Sequence, residues 1–240
     1  MIDLLKVDDL TFSYPRSIAP LLQNFSFTLQ ESEFCAVIGQ NGSGKSTFLK
    51  IVGNRYQPTH GRIYLNSIPF SHISDIQMGR WVISLTQRMD QCLFFPMTVK
   101  ENIEIWVERL PATQRQDAWE LFEQGHYFER LKKLYDRVVA GLSGGEQQIL
   151  MFSLAFLSRP KLLLLDEHTS QLDPQMSTAI MSHIANTARE RRVGVLMVTH
   201  NLQHALEYAD KIVIMKEGLA PIEIMNDHTL TLDQLRLAIL

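Results

Sequence analysis

Nine consecutive residues, Gly39-Gln40-Asn41-Gly42-Ser43-Gly44-Lys45-Ser46-Thr47, fit the pattern G-x-x-x-x-G-K-[ST]. A polyphosphate is a dense anion. Backbone N–H groups can answer it where glycines let the chain approach without a Cβ in the way. A helix opening at Lys45 adds the partial positive charge of its N-terminus. In such a loop Lys45 reaches the β- and γ-phosphates and the Ser46 hydroxyl holds Mg²⁺. Asn41, Gly42, Ser43, Gly44 and Thr47 complete the cradle with Gly39. The expected ligand is Mg·ATP. A chance glycine-rich turn would not have a buried strand before it and a helix after it.

A second set is Asp166-Glu167, which follows the apolar run Leu162-Leu163-Leu164-Leu165. A buried strand that ends in two acids places charge at the carboxyl edge of a parallel sheet, where ligands bind in this class. Asp166 is suited to Mg²⁺. Glu167 is suited to orient or deprotonate an attacking water. A lone Asp-Glu pair is often a solvated turn, but a P-loop in the same chain favours the catalytic reading. The third set is Leu142-Ser143-Gly144-Gly145-Glu146, where Ser143-x-x-Glu146 is also a capping-box pattern.

These sets need a scaffold. Strands are expected over 4–12 and 24–29, either side of the turn-rich Tyr14-Pro15-Arg16-Ser17. Residues 34–38, an uninterrupted apolar run ending at Gly39, read as a buried parallel strand. Further strands are expected over 61–66, 81–85, 161–165, 194–199 and 211–216. Helices are expected from Lys45, from the capping box Thr98-Val99-Lys100-Glu101, from Asp173-Pro174, over 202–208, and as one short helix within 229–240. Pro111 should end a helix. The alternation implies a mostly parallel sheet covered on both faces. The helical character near 88–154 reads as an insertion, with 1–87 and 155–240 forming the core.

The chain has 240 residues, 45% apolar and 20% charged, which suits a globular protein with a sizeable core. A net charge of −3 argues against nucleic acid as a partner. Cys35 and Cys92 make no disulfide framework and read as free thiols. The N-terminus lacks the pattern of a signal peptide, and the apolar runs are too short to span a bilayer. A cytoplasmic protein is expected, with any membrane role reached through a partner.

The P-loop, then LSGGE, then LLLLDE, in this order and spacing, resemble the nucleotide-binding subunits of ABC transporters over nearly the whole chain. The resemblance implies a P-loop NTPase fold of the RecA-like type, antiparallel N-terminal strands and an inserted ABC-type α-helical subdomain. It implies that Tyr14 stacks on adenine, although a core tyrosine would look the same. It makes Gln87 a contact to Mg²⁺ or the attacking water, His200 a sensor of the γ-phosphate, and Asp173 part of a loop that touches the opposite subunit. Two subunits would pack head to tail, with ATP between the P-loop of one and Ser143, Gly144 and Gly145 of the other. Donors at a helix start suit a γ-phosphate.

Two residues depart from the family pattern. Glu146 stands where Gln is usual, and is expected to cap its own helix and to face away from the phosphate. Glu146→Gln should then change ATPase activity by less than tenfold. His168 stands where Pro is usual; it either tunes the pH profile or is a tolerated loop substitution. Asp-Glu-His-Thr is similar to a branch of bacterial uptake-type ATPases linked to amino-acid import. His200 and His204 have the i, i+4 spacing of zinc ligands, but Asn201 stands where that motif has its glutamate, so His204 reads as a helix-face residue.

The resemblance implies an ATPase that powers solute import. It would sit peripherally on the inner face of the cell membrane. Its partners would be a second ATPase subunit, transmembrane permease subunits and, through them, a substrate-binding protein. The segment Arg88–Pro96 reads either as a docking groove for the permease or as subdomain core. An ABC ATPase of assembly, lipid trafficking or cell division is the alternative.

Overall fold

The computed structural model describes residues 3–17, 19–86, 89–166, 173–227 and 229–239. Gln87, Arg88, Glu167 and His168 lie outside the described residues, so their expected roles have no geometry. The elements in chain order are β1 (Asp3–Phe12), β2 (Leu22–Gln30), β3 (Phe34–Gly39), α1 (Lys45–Val52), β4 (His60–Leu65), β5 (Ile68–Pro69), α2 (Asp75–Trp81) and β6 (Val82–Thr86). There follow α3 (Val99–Glu108), α4 (Ala112–Glu123), α5 (Phe128–Lys132), α6 (Gly144–Leu157), β7 (Leu162–Asp166), α7 (Pro174–Glu190), β8 (Gly194–Val198), α8 (Leu202–Tyr208), β9 (Lys211–Met215), β10 (Ile222–Met225) and α9 (Leu232–Ile239).

The chain divides into two compact units. The first takes Met1–Ser84, Lys161–Glu167 and Met181–Leu240, and the second takes Leu85–Pro160 and His168–Ile180. The contiguous part of the second unit runs past 154, because that position lies inside α6.

In the first unit a six-stranded sheet has the order β10-β9-β3-β8-β7-β6, and a separate four-stranded sheet has the order β2-β1-β4-β5. β3 is parallel to both β8 and β9, and β7 is parallel to β8. β10 returns antiparallel along β9. The second sheet is antiparallel throughout. This is the mostly parallel core with antiparallel N-terminal strands that the sequence led us to expect. β3 is buried on both faces, which explains its unbroken apolar run. α1 packs its Phe48 against Phe25 of β2, ring centroids 4.6 Å apart, and against Phe27. Burying a ring of this size stabilises by about 1.5–3 kcal/mol. That packing fixes the helix that carries Lys45 and Ser46.

The amino end of β9 holds a buried ion pair. Lys211 Nζ lies 3.2 Å from Glu33 and donates to the Thr28 carbonyl at 2.7 Å. Both side chains are more than nine-tenths buried.

In the second unit the Thr98 side chain accepts from the Glu101 amide while Glu101 reaches back to the Thr98 amide, so α3 opens with the expected capping box. The buried Asn102 clamps the segment before it, accepting from the Phe94 amide and donating to the carbonyls of Phe94 and Thr98. Pro111 stands at the N-cap of α4, so it opens a helix; α3 has already stopped at Glu108. Two other local readings differ. Trp81 ends a short helix capped by Ser74, and the strand begins at Val82. β10 had no sequence signal, since Ile222-Glu223-Ile224-Met225 is mostly exposed and shows no clear alternation.

Candidate functional site

The site grows from the carboxyl edge of the parallel strands. β3 ends at Gly39, the first residue of the P-loop. Val198 of β8 is in register with Val37 on one side and Asp166 on the other, so the ends of β3, β8 and β7 lie side by side. Thr199 extends the ladder, donating to the Val37 carbonyl. His200, next in the chain, is exposed at this edge.

Two glycines of the loop are set by their neighbours. A Cβ on Gly39 would collide with the Met215 carbonyl of β9, and its φ of +147° disfavours any side chain. Gly44 is the left-handed N-cap of α1 at φ +95°, and a Cβ there would come within 2.8 Å of Leu22. The N-cap residue Gly44 has no side chain to cap α1, and the first-turn amides of a helix have no partner within it. The Lys45 ammonium donates to the carbonyls of Gly39 at 2.9 Å and Gln40 at 2.7 Å. This holds the cation beside the loop backbone. The buried Ser43 hydroxyl oxygen has no hydrogen-bond partner, which leaves it able to meet a ligand.

Ser46 and Asp166 meet. The Ser46 hydroxyl donates to an Asp166 carboxylate oxygen at 3.2 Å across 120 residues of sequence. A hydroxyl and a carboxylate are the hard oxygen ligands that Mg²⁺ selects, beside a loop that suits polyphosphate. The residues therefore fit Mg·ATP.

Tyr14 is tied to the same helix, its hydroxyl 2.8 Å from the Thr47 hydroxyl. Its ring meets Phe12 and Tyr56 edge-on at centroid distances of 5.1 and 5.9 Å, and Tyr56 stacks on Phe12 at 5.6 Å. Tyr14 is 40% exposed, so it is no core tyrosine and has ring surface to offer. Tyr56 went unrecognised in the sequence; its only signal was an aromatic just after the P-loop helix.

In the second unit Ser143 is the N-cap of α6. Its hydroxyl accepts from the Glu146 amide, and Glu146 Oε2 accepts from the Ser143 amide and hydroxyl, each at 2.9 Å. The expected capping box is present. The Ser143 amide, bonded to the carboxylate, holds Glu146 below the usual carboxylate range, helped by the Ser143 hydroxyl, Arg130 and Arg137 and opposed by partial burial. Gly144 and Gly145 open the helix. A Cβ on Gly145 would stand 3.2 Å from the Met176 thioether methyl of α7. Asp173 caps α7 through the Met176 amide at 2.9 Å.

His204 lies on α8 as expected, on its buried face; its Nδ1 has no hydrogen-bond partner, and its ring meets Tyr208. Burial pushes its pKa down, against a smaller opposing effect of Glu207. Asn201 caps α8 by accepting from the Gln203 and His204 amides. Cys35 is buried and Cys92 partly so; burial raises the Cys35 thiol well above its usual range. Among the described residues no helix is long and apolar enough to cross a membrane.

Comparison with known proteins bears on this geometry. A profile of the ABC transporter family matches residues 22–170. The chain is 32% identical over 235 residues to the tyrosine transport ATP-binding protein of Clostridioides difficile, covering 93% of this chain and 92% of that one. It is 33% identical over 231 residues to the phosphonates import ATP-binding protein PhnC 1 of a Ruegeria species, covering 90% and 86%. The structure of cbiO1 from Clostridium perfringens, part of the ABC transporter complex cbiONQ, superposes with a TM-score of 0.85 at 22% identity, over 100% of this chain and 95% of that one. The fold is that of the P-loop ABC cassette. With P-loop, LSGGE segment and carboxyl-edge aspartate in one chain, the protein belongs to the ABC transporter family, as its ATP-binding, ATP-hydrolysing cassette.

Proposed function

We propose that this chain powers solute import by an ABC transporter. Two copies, or one copy and a similar ATPase subunit, close head to tail around ATP and open again after hydrolysis. The observation that carries the nucleotide site of this reading is the bond between Ser46 and Asp166, which brings the P-loop helix and the acidic strand end to one point; the likeness to import ATP-binding proteins supports import. Phosphates rest on the amides of Gly39, Asn41, Gly42, Ser43, Gly44 and Thr47, and on Lys45. Tyr14 carries the adenine. Ser46, Asp166 and Gln87 would hold Mg²⁺, which offsets charge on the β- and γ-phosphates. Glu167 orients the water that attacks the γ-phosphorus and takes up its proton, while the bond to the ADP oxygen breaks. His200 donates to the γ-phosphate. Ser143, Gly144 and Gly145 of the second copy complete the enclosure, with Asp173 near the subunit contact.

The second unit supplies a docking surface. Phe94, Met97 and Val138 are large apolar side chains exposed close together, for Val139 donates to the Met97 carbonyl and Met97 to that of Phe94. An exposed apolar cluster of this kind marks an interaction surface. A transmembrane permease on the cytoplasmic side suits it, and a substrate-binding protein would act through that permease. The tyrosine transport relative and the Asp-Glu-His-Thr run support an amino acid as the cargo.

The test is affinity purification of the chain from detergent-solubilised native membranes. A multi-span permease at near-equal amount is expected. Recovery of soluble partners alone would contradict import and favour an assembly or trafficking ATPase.

A further inference from the structure

Ser143 has one hydroxyl proton, and it is committed. Ser143 Oγ donates to Glu146 Oε2 at 2.9 Å while accepting from the Glu146 amide at 3.3 Å. The same carboxylate oxygen takes the Ser143 amide at 2.9 Å. Arg130 and Arg137 favour the charged carboxylate from outside the helix. A phosphate at neutral pH offers oxygens that accept, so Ser143 can bind one through its hydroxyl only by releasing Glu146. The carboxylate also lies in the first turn of α6, where it offsets the partial positive charge that would attract a phosphate.

We propose that Glu146 is a positioning residue of ATP-driven closure. It holds the Ser143 hydroxyl proton and places negative charge at the start of α6. The LSGGE segment therefore grips a γ-phosphate less tightly than the same segment with glutamine. This rests on the reading above, in which two copies enclose ATP. A glutamine can still accept from the Ser143 amide and keep the cap, but it carries no charge and competes less for the hydroxyl proton. The chain contains its own control. Thr98 and Glu101 form the same box on α3, with Glu101 Oε2 accepting from the Thr98 amide at 2.7 Å and its hydroxyl at 2.8 Å. A role in capping alone would make the two boxes equivalent.

The experiment titrates Mg·ATP against dimer formation by analytical ultracentrifugation, using the full chain with Glu167→Gln to slow turnover. Adding Glu146→Gln should lower the midpoint about two- to fivefold. Adding Glu101→Gln should leave it in place. Ser143→Ala should reverse the gain beside Glu146→Gln. An unchanged or higher midpoint with Glu146→Gln overturns the inference while leaving the enclosed-ATP reading intact. So does a gain with Glu146→Gln that Ser143→Ala leaves in place. No dimer at any ATP concentration overturns both.

Discussion

The Ser46 hydroxyl and the Asp166 carboxylate lie 3.2 Å apart, one on the first turn of the P-loop helix and the other at the end of β7. β3, which leads into the P-loop, and β7 are not adjacent, for β8 runs between them. The contact exists because α1 is pinned from above by Phe25 and Phe27 against the sheet below. Losing a group that supports a metal site typically costs about ten- to a hundredfold in metal affinity. Asp166→Asn should therefore raise the Mg²⁺ concentration for half-maximal ATP hydrolysis by about ten- to a hundredfold. A titration with unchanged midpoint would remove Asp166 from the metal site.

Tyr14 offers a ring and a hydroxyl that serve different ends. The hydroxyl meets Thr47, and the ring has open surface. Tyr14→Phe should leave the KM for ATP within about twofold, whereas Tyr14→Ala should raise it about tenfold, the loss of one stacked base. Equal effects of the two variants would place the function in the hydroxyl.

How much of this was legible in the sequence depended on whether a residue's role is local. The P-loop, the Ser143 and Thr98 capping boxes and the run of β3 were readable because a turn, a cap and a doubly buried strand each leave a short-range pattern. The order β9-β3-β8-β7 was not, since it is set by which strands pair across the sheet. The Tyr14–Tyr56 contact and the Lys211–Glu33 pair join residues far apart in sequence. His204 read as a helix-face residue, and its burial was not legible because its helix, Leu202–Tyr208, is too short to show a clear polar face. Pro111 was ambiguous by nature, for the same residue that cannot continue one helix starts the next.

Buried His204 should make the fold acid-sensitive. Its folded pKa is depressed by burial, so the unfolded chain, with an ordinary value near ~6.5, takes the proton first as pH falls. The stability is complete above that range and is lost on acidification below it. Thermal melts of His204→Phe should show a smaller drop in Tm from pH 7 to pH 5 than wild type. An equal drop would assign the acid sensitivity to other groups.

Removing Lys211 leaves the Glu33 carboxylate buried without its cation, with the Gln30 amide still bonded to it at 2.7 Å. Lys211→Met should destabilise the fold by about 3–5 kcal/mol in urea unfolding. The double variant Lys211→Met with Glu33→Gln should recover part of that loss. No recovery would place the loss at the other partners of Lys211, the Thr28 carbonyl and Glu223.

The account stands or falls on ATP hydrolysis at the edge of β7. Phosphate release from Mg·ATP should be measured for the purified chain and for Glu167→Gln, alongside ATP binding. The wild type is expected to release phosphate, and the variant to bind ATP as well but to hydrolyse it at least a hundredfold more slowly. Normal hydrolysis by Glu167→Gln would contradict the assignment of that carboxylate and, with it, the mechanism proposed for this site.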